Sequence, residues 1–157
     1  MSESIENLIK SEYISLDIDA EDWQDSIRQS MQPLIKNKCI LPAYVQACID
    51  NIKRYGPYIV ITKNVALAHA EVDKGVLKDA IGIGVLRNPI AFGNSANDPV
   101  KYIFSLSVID SQAHLDAIAE LAKLIENPNF LSLLKNSDDV STVMKGLHLY
   151  LAKSRGL

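Results

Sequence analysis

The chain has 157 residues, of which 48% are hydrophobic, 16 are Lys or Arg and 19 are Asp or Glu, for a formal charge of -3. That length and apolar content suit one domain, residues 1–157, with a full core, and the lack of a basic excess excludes the electrostatic footprint of a nucleic-acid binder. Cys39 and Cys48 form neither a CxxC nor a Cys-His cluster, which excludes a disulfide framework and a zinc module. Early acids at the N-terminus, and no apolar run near the ~20 residues that span a bilayer, predict a cytoplasmic protein without a signal peptide.

Residues 2–12 read as a short helix, with Ile5, Leu8 and Ile9 at helical spacing behind Ser2 as a candidate cap. Ile14, Leu16 and Ile18 alternate with polar residues, the period of a half-buried strand. Asp19 is placed to cap a helix over 20–37 whose Trp23, Ile27, Met31 and Ile35 recur at i+4. Pro42 opens a third helix with Tyr44, Val45, Cys48, Ile49 and Ile52 inward, and Gly56-Pro57 closes it. Tyr58 to Ile61 is a short strand, followed by the run Val65-Ala66-Leu67-Ala68-His69-Ala70 and a turn at Asp73-Lys74-Gly75.

Ala80 to Leu86 predicts another strand, in which Gly82 and Gly84 leave one face bare for close approach of a neighbouring element. A loop over 89–101 leads to a strand from Tyr102 to Ile109. Asp110 and Ser111 can cap a helix with Leu115, Ile118, Ala119, Ala122 and Ile125 as its apolar face. Asn127-Pro128 breaks it, a helical turn covers 129–134, and Asp138 or Asp139 begins a last helix with Val143, Leu147 and Leu151 inward. The sum is an α/β fold: a mixed central β-sheet flanked by helices on both faces.

Several motifs fail. Gly82-Ile83-Gly84 lies inside a strand and has Arg87 where a third glycine would stand, so it is no dinucleotide loop. His69-Ala70-Glu71 matches half of a zinc deaminase signature, yet both cysteines lie upstream of it. No Gly-x-Ser-x-Gly turn occurs. His69, Glu71 and Asp73 alternate and would offer an N,O,O metal set if the segment were extended.

The remaining constellation is His69 with His114. A helix starting near Ser111 presents unpaired N–H groups and partial positive charge to an anion, and His114 projects from its first turn. A neutral imidazole at such a site can attack phosphorus in line, and histidine accepts and releases the group near neutral pH. The scheme needs no metal and no cofactor. Each histidine read singly is a structural residue, and His148 on the last helix is assigned no role.

At these residues the chain resembles the IIA components of the sugar phosphotransferase system, of the fructose-mannitol superfamily, and within it the ascorbate branch. The features that carry the likeness, over about residues 14–145, are Gly56-Pro57-Tyr58-Ile59-Val60, the run ending in His69-Ala70, Gly84-Val85-Leu86 leading to Asn97-Asp98-Pro99-Val100, and His114-Leu115 followed by Leu121-Ala122. The resemblance implies that His69 is phosphorylated and that His114 contacts the phosphoryl group. Phosphate would come from the phosphocarrier HPr, charged from phosphoenolpyruvate through enzyme I. It would pass to a IIB component during sugar uptake, with ascorbate the candidate sugar and a membrane IIC permease involved only indirectly.

Two positions depart from the family's pattern. Ala68 stands where Pro usually precedes the active histidine, and Glu71 where the ascorbate branch commonly has Arg; Asn51 falls near the arginine of mannitol-type members. Loss of Pro leaves the backbone less restrained, and a carboxylate near a dianion costs electrostatic stabilisation. These departures keep a second reading open, a IIA-like regulator that acts through partner binding with weak or no phosphotransfer. Leu67, Ile90 and Phe92 are the candidates for an exposed apolar ring for docking HPr, with burial in the core as the alternative.

Overall fold

The computed structural model describes residues 5–154, so the Ser2 cap lies outside the described residues. The expected first helix is reduced to α1 (Ile5–Leu8) and a 3-10 turn at Ser11–Tyr13. Then follow β1 (Ile14–Ile18), α2 (Trp23–Lys36), α3 (Pro42–Tyr55), β2 (Val60–Thr62) and β3 (Val65–Ala68). A 3-10 turn at Val72–Lys74 leads to β4 (Ala80–Ile90) and β5 (Val100–Ser107), and the chain closes with α4 (Ser111–Ile125), α5 (Pro128–Asn136) and α6 (Val140–Ser154). Among the described residues no helix is long and apolar enough to cross a membrane.

One five-stranded sheet, in the order β1-β4-β5-β3-β2, organises these elements. It is mixed: β1 runs parallel to β4 and β3 parallel to β5, while β4 with β5 and β2 with β3 are antiparallel. Alternation along the strands sends Val65, Leu67, Ile83, Tyr102 and Phe104 to one face, where α1, α4, α5 and α6 cover them. Ala66, Ala68, Leu86 and Ile103 point to the other face, under α2 and α3. The expected helix-flanked mixed sheet is the observed one.

Three local expectations shift. The cap of α2 is Asp22, whose carboxylate accepts from the Asp25 N–H, so Asp19 stays outside the helix. Strand β4 continues four residues past Leu86, and Pro89 is tolerated there because the pairing with β1 ends at Leu86 and leaves that side an edge. On α4 the buried face is Ala117, Leu121, Leu124 and Ile125. Leu115 and Ala119 are exposed, because the helix turns the Leu121 stripe to the sheet and leaves Leu115 at its open end. The bare face at Gly82 and Gly84 is filled as expected, by α2: a Cβ on Gly84 would stand 2.8 Å from Ser30 Cβ.

Candidate functional site

Strands β3 and β5 are parallel and paired in register from Val65↔Tyr102 to Ala68↔Ser105, so their carboxyl ends leave the sheet at the same edge. One end releases His69 directly after Ala68. The other runs through Val108 to Asp110 into α4, with His114 in the first turn. Two histidines far apart in sequence are thereby brought to one cleft, at the kind of strand-end position where α/β sheets bind ligands. That cleft has a volume of about 530 Å³ and is lined by Asn51, Tyr58, His69, Glu71, Val72, Ile109, His114 and Leu115.

The half-buried His69 ring is held on two sides. Its Nδ1 lies 2.8 Å from the Leu67 carbonyl oxygen. A carbonyl can only accept, so the proton sits on Nδ1 and Nε2 keeps its lone pair. Tyr58 meets the same ring edge to face, with centroids 5.7 Å apart and planes at 89°.

His114 is half-buried and lines the same cleft. Burial, and then the neighbouring His69, hold its pKa below the ordinary histidine value. It is therefore neutral at physiological pH, with one N–H to donate. The start of α4 is capped by Asp110, which accepts from the Gln112 N–H.

Among the described residues Glu71 supplies the one carboxylate of the cleft lining, and no lysine or arginine lines it. Its pKa lies below the usual carboxylate range, first through a hydrogen bond to its own backbone and then through Asn51, whose Nδ2 donates to Oε2 at 3.2 Å. Glu71 precedes the 3-10 turn at Val72–Lys74, so the segment is not extended and the His69, Glu71, Asp73 alternation is lost. Among the described residues no group of three or more His, Cys, Asp or Glu side chains is arranged to hold a metal.

Of the two readings left open for Leu67, Ile90 and Phe92, packing in the core is the observed one. Leu67 and Phe92 are buried and Ile90 is half-buried against the core, Leu67 because alternation along β3 points it inward and Phe92 because it packs on Trp23 at 5.9 Å. The exposed apolar residues of the cleft are instead Leu115 (60% exposed), Ile109 (53%), Tyr58 (44%) and Val72 (39%). Periodicity could not single these out, since Tyr58, Ile109 and Val72 lie in turns and Leu115 shares the spacing of the buried face of α4. His148 lies away from the cleft, with Nδ1 3.5 Å from Glu6 Oε1.

A model of the family described as "Phosphoenolpyruvate-dependent sugar phosphotransferase system, EIIA 2" matches residues 7–148. SgcA of Escherichia coli strain K12, a phosphotransferase IIA component by name, is 33% identical over 75% of this chain and 82% of its own length. The ascorbate-specific EIIA component of the same strain is 28% identical over 78% of this chain and 80% of its own. Among solved structures, one from Streptococcus pyogenes M1 GAS described as a PTS IIA domain superposes with a TM-score of 0.85 at 27% identity, covering 98% of this chain and 99% of that one.

Proposed function

The chain belongs to the EIIA 2 family of the phosphoenolpyruvate-dependent sugar phosphotransferase system, and from that membership we propose that it is a phosphohistidine carrier. In this reading His69 takes a phosphoryl group from HPr on Nε2 and passes it to a IIB component, with His114 contacting the group in transit. The observation that carries it is the bond from Nδ1 to the Leu67 carbonyl, which leaves the nucleophilic lone pair on Nε2.

Transfer then needs position more than machinery. The donor N–P bond breaks as the Nε2–P bond forms, and the proton on Nδ1 stays where it is. The Leu67 carbonyl dipole supports the imidazolium so formed, which keeps the phosphoryl group a good leaving group for the next transfer. His114 donates its single N–H to a phosphoryl oxygen. Acting in the cytoplasm, the protein would meet the membrane permease only through IIB. Ascorbate is the sugar named for one relative and is the first to test.

Incubation with phosphoenolpyruvate, enzyme I and HPr should give an acid-labile, base-stable phosphate label. A His69→Ala protein that labels as well as the wild type overturns the assignment. One observation favours a second reading: among the described residues the cleft lining holds a carboxylate and no lysine or arginine. A regulator that signals by partner binding would label weakly while still associating with a protein whose activity it changes.

A further inference from the structure

Strands β3 and β5 part after Ala68↔Ser105, and the point of separation is occupied by a side chain from neither strand. The Tyr44 hydroxyl, reaching in from α3, lies 2.7 Å from the Leu106 carbonyl oxygen and 3.1 Å from the Ala70 nitrogen. A phenol has one proton, and the shorter contact takes it, so Tyr44 donates to Leu106 while its oxygen accepts from the Ala70 N–H. The Ala70 carbonyl, at 3.4 Å, is a weaker alternative for the same proton. Tyr44 is almost fully buried, and burial raises its pKa well above the ordinary phenol value, so it stays protonated.

The two groups it joins belong to the two segments that carry the site. Ala70 is the residue after His69. Leu106 is near the end of β5, just before the connection into α4 and His114. We infer that Tyr44 is a positioning residue: its hydroxyl is a crossbar that sets the distance and angle between His69 and the start of α4. The inference rests on the assignment of His69 as the phosphoryl acceptor.

Without the hydroxyl, a half-buried N–H and a buried C=O lose this partner. The strands must then close directly on one another or admit water, and either change moves His69 relative to α4. The aromatic ring itself is retained in Tyr44→Phe, so core volume is nearly conserved. Ala68 lacks the restraint a proline would impose on this segment, and the crossbar supplies a restraint one residue beyond His69.

The test compares wild type, Tyr44→Phe, Ile49→Val and His69→Ala. Ile49 is a fully buried core residue on the same helix, and its truncation reports loss of stability without loss of the crossbar. Each protein is assayed for the rate of labelling from phosphoenolpyruvate through enzyme I and HPr, for thermal unfolding, and for the His69 ring 15N shifts. Tyr44→Phe should label about 10- to 100-fold more slowly, with a changed His69 tautomer signal, while Ile49→Val labels at the wild-type rate. Wild-type labelling and unchanged ring shifts in Tyr44→Phe overturn the inference, as does equal slowing in Ile49→Val. If Tyr44→Phe does not fold, amide exchange of wild-type Ala70 decides: protection supports the crossbar, and exchange at the rate of an open loop overturns it. Undiminished labelling of His69→Ala separately removes the assignment beneath it.

Discussion

Asn51 Nδ2 donates to Glu71 Oε2 across 3.2 Å, tying the last turns of α3 to the segment that follows His69. The bond fixes the carboxylate on the wall of the cleft and, after the hydrogen bond to Glu71's own backbone, adds to what holds its pKa low. A phosphoryl dianion on His69 would share that wall. Glu71→Gln keeps the shape and removes the charge, so the phosphorylated fraction at equilibrium with the donor should rise about 2- to 5-fold at low salt, and less at high salt. A phosphorylated fraction unchanged at any ionic strength would show that Glu71 does not sense the dianion.

His114 is expected to matter more for delivery than for uptake. His114→Gln should still take label but pass it to IIB about 10- to 100-fold more slowly, in the range lost with one positioned donor or acid-base group. The same variant has a pH signature. Because the folded pKa is depressed, the unfolded chain binds a proton that the folded one resists. The stability from neutral His114 is therefore present above the unfolded value of about 6.5 and lost as pH falls through the folded value. The melting temperature of wild type should drop more steeply over that interval than that of His114→Gln.

Docking should depend on the apolar rim. Leu115 and Ile109 are more than half exposed, so Leu115→Ser with Ile109→Ser should leave thermal stability close to wild type. The KM for the phosphoryl donor protein should rise about 5- to 10-fold with kcat little changed, the signature of lost uniform binding. Equal KM values would place the donor's footprint elsewhere.

Close approach of α2 to β4 yields a stability prediction. A Cβ at Gly84 would stand 2.8 Å from Ser30 Cβ and 3.1 Å from Ile18 Cδ1, so Gly84→Ala should cost about 1–3 kcal/mol in denaturant unfolding. Ser30→Ala should be nearly neutral, because Ser30 Oγ is buried without a hydrogen-bond partner and its removal strands no other group.

Much of this architecture is legible in the chain itself. Alternation at Ile14 and Leu16 marks the start of β1, although the positive φ of Asp17 and the register shift there turn Ile18 to the opposite face; the i+4 recurrence of Val143, Leu147 and Leu151 marks α6, because one buried face imposes its period on the residues that fill it. Gly82 and Gly84 foretell a closely packed partner. Less legible are features made by groups that the fold, not the period, brings together. Leu115 continues the apolar spacing of its helix yet points to solvent, and only the direction from which α4 meets the sheet decides that. Tyr44 sits in the inward stripe of α3, where its ring reads as core; the cue to its role is the hydroxyl, which a buried position obliges to find partners.

The acceptor for His69 Nδ1 is the main-chain oxygen of Leu67, on the strand that delivers the histidine. A side-chain acceptor could be lost by one codon change, whereas this one is carried by any residue at position 67. The ring nitrogen that keeps its lone pair is thus insulated from the identity of the neighbours, so a change at Ala68 or Glu71 leaves the same nitrogen free. In the proposed carrier those side chains would tune the affinity for the phosphoryl group, while the path of the backbone would decide which atom bears it.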